Sequence, residues 1–252
     1  MMIESPSLSL RGGIFKEISL MKFELVIDSK STEVVIALLK EGRLIELHKE
    51  KHDNNYSVGD IYLGKVKKIV PGLNAAFVGV GHEKDGFLHY LDLGAQVKSF
   101  KKFTDKTRAK KLNTASLKNF RRDKDTLKEG KIQDVVKGGD HLMVQVSKEP
   151  ISSKGPRLST ELSFAGRYMV MIPFSDRVSI SQKIKSSEEK SRLKKLIHSI
   201  KPKGFGVIIR TVAENKKVAE LDTDMKNLYK KWQIIFKKLK TANLNERIHG
   251  EM

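Results

Sequence analysis

The stretch that most limits what this chain can fold into is Ser57–Leu93, SVGDIYLGKVKKIVPGLNAAFVGVGHEKDGFLHYLDL. Three short apolar runs, Ile61–Val70, Ala75–Val80 and Gly86–Tyr90, are cut apart by Pro71-Gly72 and by the segment Gly81–Asp85. Short β-branched and aromatic runs between such breakers read as antiparallel strands. Three strands alone are marginal, so more chain has to complete the sheet. The next run of this kind, His141–Ser147 after Gly138-Gly139, is the expected closing strand. Phe77 and Phe87 fall on neighbouring strands, among Lys65, Lys67 and Lys68. Spacing leaves two readings open. Both rings fill a small barrel core, or both lie on an outer face as a stacking platform for single-stranded bases, with the lysines meeting phosphates.

The pattern Gly64-x-Val66-x-x-Ile69, then Ala76-Phe77-Val78-x-x-Gly81, then Gly86-Phe87-Leu88, resembles the small OB-fold RNA-binding barrel named after ribosomal protein S-one. The fuller string GDIYLGKVKKIVPGLNAAFVGVGHEKDGFLH is similar to the version in the ribonuclease E/G family of bacterial endoribonucleases. That resemblance covers about Met21 to Met252 and is of the shorter ribonuclease G kind. It implies that Phe77 and Phe87 contact RNA, helped by Lys154; Lys65 and Lys67 are the expected RNA-binding cations beside the rings. It also implies a cytoplasmic endoribonuclease that cleaves single-stranded RNA in rRNA processing or mRNA decay, with Mg²⁺ as cofactor and a homo-oligomer as the assembled form. The alternative is a non-catalytic single-stranded RNA-binding protein complete in itself.

Composition bears on partners. The 252 residues carry a formal net charge of +19, which points to polyanions. Cysteine is absent, which removes disulfides and thiolate metal sites and suits a reducing compartment. No apolar run approaches the roughly 20 residues of a membrane span.

Residues 1–20 contain Pro6, Gly12 and Gly13 and no signal-peptide core, and are expected to be a disordered leader or an over-early start. Phe23–Ile27, Thr32–Leu39 and Arg43–Leu47 form an expected three-stranded meander, which the resemblance makes part of an RNase H-like subdomain spanning 21–56 with the barrel inserted into it. His48 and His52 stand four apart in a very polar segment, a poor metal pair. The barrel is expected over 57–149, as five strands interrupted by a basic, poorly periodic insertion at 98–131. That insertion reads either as a solvated loop or as a flexible arm adding phosphate contacts.

A further unit is expected at 150–212. Ala165–Pro173 reads as one strand and Val178–Ser181 as a second. Ser186-x-x-Glu189 opens a helix faced by Leu193, Leu196, Ile197 and Ile200, and Gly204–Thr211 is a third strand. The resemblance makes this the 5′-sensor unit, with Gly166, Val170, Arg210 and Thr211 around a terminal monophosphate. Arginine's planar fork, a threonine hydroxyl and a close backbone suit that anion. Gln182-Lys183 stands where the family commonly has paired arginines. Residues 213–252 are read as a long helix with an apolar stripe from Val218 to Leu239, then a truncated return to the RNase H-like part. No catalytic or metal residue is assigned, because the family's Mg²⁺-binding Asp pair lies in a subdomain that the resemblance does not reach. The overall expectation is α+β.

Overall fold

The structure, a computed structural model, describes residues 22–30, 33–51, 56–151 and 154–250. The expected leader, His52 and Ser152-Ser153 lie outside these residues. The chain is α+β and divides into two compact units, residues 1–54 and 55–252.

The first unit is the expected meander. Strands β1 (Phe23–Ser29), β2 (Glu33–Lys40) and β3 (Arg43–Lys51) pair antiparallel in that order. Glu41 and Gly42 both take positive φ, 53° and 74°, which suits a two-residue hairpin turn. Phe23, Leu25 and Ile27 of β1 and Leu44 and Leu47 of β3 are exposed.

The second unit begins with a closed barrel. Strands β4 (Ile61–Val70), β5 (Ala75–Gly79) and β6 (Gly86–His89) are the three runs of the opening motif. Strand β7 (His141–Lys148) pairs back on β4, and β8 (Arg157–Ser159) joins β7 to β6. The ring therefore runs β4-β5-β6-β8-β7 and closes on β4, antiparallel throughout except for β6 and β8. A closed five-stranded ring of this kind is OB-like. The expected limit at 149 leaves out β8, whose three residues follow Pro156 and are too short to show a period. Alternate residues fill the interior, among them Val66, Ala76, Val78, Leu88, Val144 and Leu158.

The expected insertion opens with a helix, and the irregular chain after it is packed rather than wholly solvated. Helix α1 (Val97–Arg108) buries Phe100, Phe103, Thr104 and Thr107 at helical spacing, and the chain after it buries Ala115 and Leu117. Its lysines masked this face, because two of the inward positions are threonines rather than large apolar residues.

These residues join a second core around a four-stranded sheet. That sheet has the order β11-β12-β10-β9, with β9 Phe164–Ala165, β10 Met169–Pro173, β11 Val178–Ile180 and β12 Phe205–Ile209. The expected single strand Ala165–Pro173 is a tight hairpin instead, turning at 166–168 with β9 and β10 antiparallel. Helix α2 (Ser187–Ile200) is capped as its sequence predicts, Ser186 Oγ accepting from Glu189 N at 3.1 Å. Glu189 does not complete the reciprocal half of the box. It takes a two-pronged hydrogen bond from Arg192, at 2.6 and 2.7 Å.

Helix α3 (Val218–Leu239) buries Leu221, Met225, Leu228, Trp232, Ile235 and Leu239, most of the expected stripe; Val218 is exposed. Trp232 sits at the centre of this core, its Nε1 donating to Ala115 O at 2.8 Å and its ring against Phe103, Phe164, Phe174 and Phe205. The last strand, β13 (Arg247–His249), pairs with the first residues of β4. Among the described residues, no helix is long and apolar enough to cross a membrane.

Candidate nucleic-acid interface

Barrel closure lines four side chains up in one row. Lys68 is opposite Phe77, Phe77 is opposite Phe87, and Phe87 is opposite Arg157. Residues directly opposite one another share a face of the sheet. Their chain neighbours Ala76, Val78, Gly86 and Leu88 are buried, so the row faces outward. The rings of Phe77 and Phe87 are half-buried, 5.8 Å apart and edge-on at 67°. His89 continues the aromatic surface, its ring 6.4 Å from that of Phe87 and nearly parallel. The reading in which both phenylalanines fill the barrel core is thereby overturned.

The cations around this row differ in freedom. Lys65 and Lys68 are exposed. Lys67 falls at a bulge in β4 and pairs with Asp85 at 2.7 Å. Lys154 is exposed, and its successor packs on the β5–β6 hairpin: a Cβ on Gly155 would fall 2.1 Å from Asp85 O. Lys154 therefore enters at the hairpin that Lys67 engages. Arg157 is held by Asp92 through Nε at 2.9 Å and Nη2 at 3.1 Å.

The four expected phosphate residues do not form one cluster. Gly166 and Arg210 meet directly, Arg210 Nη1 donating to Gly166 O at 2.7 Å. Thr211 turns to Ser181, the two hydroxyls 2.9 Å apart. Val170 is paired with Ile208 on the sheet face that looks toward the barrel, in a trough with Ser159, Ser163 and Ala165.

Arg210 instead shares a hollow with Arg167, Tyr168, Val212 and Lys216. Tyr168 lies between two cations, with Arg167 5.3 Å and Lys216 5.8 Å from its ring centre. Its hydroxyl donates to Glu220 at 2.9 Å, which holds Tyr168 above its ordinary pKa and Glu220 below. Asp224 fastens the turn, accepting from Arg167 N at 3.2 Å and Tyr168 N at 2.9 Å. A Cβ on Gly166 would lie 2.6 Å from that carboxylate, so only glycine fits without displacing it. Gln182 and Lys183 are exposed on the loop after β11.

Sequence reasoning passed over His89, Asp92, Arg167 and Lys216, and gave Arg157 and Lys68 only passing weight. The one available signal was local: Arg157 and Arg167 closely follow the segments already singled out at Lys154 and Gly166.

Three carboxylates outside the barrel, Asp28, Asp222 and Asp224, are each engaged. Asp222 pairs with Lys226 at 2.6 Å, Asp224 fastens the turn, and Asp28 pairs with Lys30 at 3.3 Å. Among the described residues, no three His, Asp or Glu side chains gather as a metal site.

The Ribonuclease E/G family profile matches residues 163–252, which hold the small sheet, α2 and α3. Ribonuclease G of Escherichia coli strain K12 is 32% identical over 232 residues, covering 92% of this chain and 44% of the relative. The chain belongs to the ribonuclease E/G family. Ribonuclease G of Haemophilus influenzae is 33% identical over 228 residues, covering 90% of this chain and 43% of the relative. Ribonuclease E of a Synechocystis strain is 37% identical over 179 residues, 71% of this chain and 23% of the relative. The chain thus spans less than half the length of these ribonuclease E/G relatives.

Proposed function

We propose that this region captures single-stranded RNA and reads its 5′-terminal monophosphate within an endoribonuclease of the ribonuclease E/G kind. The observation that carries the reading is the outward row Lys68–Phe77–Phe87–Arg157. Two half-buried rings flanked by cations suit sequence-tolerant stacking of bases with phosphates held alongside. Lys65, Lys67 and Lys154 extend the cationic border. Lys67 would exchange Asp85 for a phosphate, and Arg157 would keep its hold on Asp92 while its remaining N–H groups face the strand.

The small sheet is the 5′-sensor unit of this proposal. Arg210 supplies the planar fork, with Arg167 and Lys216 beside it in the hollow. Gly166 keeps the turn close enough for its carbonyl to orient Arg210, and Thr211 offers a hydroxyl one residue on. Val170 gives an apolar surface for the terminal base. The meander at 22–51 is assigned to the RNase H-like part. Phosphodiester cleavage in rRNA processing or mRNA decay, in the cytoplasm, is the activity of the enzyme as a whole. Homo-oligomerisation belongs to the same proposal.

The test compares a short single-stranded RNA bearing either a 5′-monophosphate or a 5′-hydroxyl, measured by gel retardation with and without Mg²⁺. Retardation favouring the monophosphate, lost in Arg210→Ala, is expected. A preference that survives Arg210→Ala refutes the sensor assignment. Unchanged affinity in Phe77→Ala/Phe87→Ala refutes the platform.

A further inference from the structure

The sheet face carrying Val170 and Ile208 continues away from Arg210 into a hollow of about 250 Å³ between the small sheet, the start of α1 and the chain just after β8. Phe100, Ile172 and Ile208 give it apolar walls, and Ile208 is 40% exposed although it lies mid-strand. Its polar lining residues are Gln96, Glu161, Ser175, Arg177 and Ser179. The Gln96 Oε1 atom is buried and has no hydrogen-bond partner. Among the described residues, neither Glu161 nor Arg177 takes part in an ion pair. Leaving a buried acceptor without a donor is unfavourable, and structures seldom keep one without a reason.

The hollow also adjoins the proposed RNA face. Ser159 follows the ladder residue Arg157 by two positions on β8 and lines the trough beside Val170. That trough shares Glu161, Ile172 and Ile208 with the hollow. A strand leaving Phe87 toward Arg210 has this cleft alongside it.

From this geometry we infer that the hollow is a base-selective subsite that takes one guanine of the bound strand. The inference rests on the RNA-capture reading above. The hollow is smaller than the roughly 300–1,000 Å³ of drug-sized ligand sites, which suits a single planar ring system between apolar walls. The Glu161 carboxylate requires donors, and Arg177 requires acceptors. Guanine carries N1–H and N2–H₂ on one edge and O6 and N7 on another, and a guanidinium fork matches the latter pair. Uracil has one ring N–H and no amino group. The site reads a splayed base, the usual mode for single-stranded RNA.

Two experiments test it on the full chain. In the first, binding of an oligouridine is compared with that of the same oligomer carrying one central guanosine. About a tenfold tighter Kd is expected for the guanosine oligomer, reduced to parity in Glu161→Gln/Arg177→Ala, with oligouridine binding unaltered by those changes. A guanosine advantage that persists in the variant, or none in the parent while oligouridine binds, overturns the subsite. Failure of both oligomers to bind overturns RNA capture itself. The second experiment does not depend on strand binding. Titration with GMP should shift the methyl resonances of Ile172 and Ile208 and the Gln96 side-chain amide, while UMP should not. Equal shifts with both nucleotides, or none with GMP, also overturn the proposal.

Discussion

Replacing Gly166 with alanine is the sharpest available probe of the turn that carries Arg210. The added Cβ would stand 2.6 and 2.7 Å from the two Asp224 oxygens, well inside van der Waals contact. A carboxylate at the end of a free side chain would swing aside at little cost. This one is tied by the N–H groups of Arg167 and Tyr168, at 3.2 and 2.9 Å. Moving it sacrifices two charge-assisted hydrogen bonds on a partly exposed turn, together worth about 2 kcal/mol. For a unit of this size that is a loss of roughly 4–8 °C in Tm. Asp224→Ala should cost about the same by removing the acceptor directly. The double variant Gly166→Ala/Asp224→Ala should cost little more than either alone, since the clash has lost its partner. Thermal melts followed by circular dichroism measure all three. Additive losses, or a Gly166→Ala protein that melts with the parent, refute the argument that Asp224 is what excludes a side chain at 166. Because Gly166 O holds Arg210, the same variant should also lose 5′-monophosphate preference with Arg210 untouched.

Other outcomes follow from the same structure. Phe87→Ala should weaken single-stranded RNA binding roughly 5- to 150-fold, the range for one stacked base, with a smaller stability loss than a core phenylalanine, and filter binding with a parallel melt separates the two. Lys110, Lys111, Lys118 and Lys124 are exposed around the ordered insertion, and changing all four to Gln should shallow the salt dependence of binding by about 0.7 in log–log slope for each lysine that meets a phosphate. An unaltered slope removes them from the interface. Hydrogen bonds from Arg192, and then from Asn215 N, hold Glu189 below its ordinary value of 4.5. Its contribution is therefore complete above about pH 4.5 and is lost as pH falls through the lowered folded value. Tm measured from pH 6 to 3 should be flat and then fall, and Glu189→Gln should flatten that fall.

Much of this was legible in the sequence because it rests on local patterns. The barrel strands announce themselves by β-branched runs between breakers, and α2 and the α3 stripe by capping and helical spacing. The direction in which Phe77 and Phe87 point was not legible, since alternation alone does not say which face is inside. Closure decided it, and closure depends on β8, three residues whose pairing partners lie about 70 residues back along the chain, at Phe87, and just before it, in β7. The same non-local pairing brings Arg157, three residues after Lys154, into the row. Helix α1 was hidden by its lysines, although its inward side is as regular as that of α3. The four residues proposed for the 5′ phosphate come from resemblance, and their separation into an Arg210 hollow and a Val170 trough depends on side-chain direction at the end of a strand.

The burial of Trp232 also gives this protein a built-in optical reporter. It is the sole tryptophan, fully enclosed, and its indole nitrogen is bonded to a carbonyl from the stretch between α1 and β7. Its emission registers whether that stretch, α3 and the small sheet are assembled together, because each contributes atoms to its cage. Phe77 and Phe87 are not among the rings around it. Intrinsic fluorescence therefore follows the integrity of the scaffold separately from occupancy of the aromatic row, and a single cuvette can distinguish a variant that has lost its ligand from one that has lost its fold.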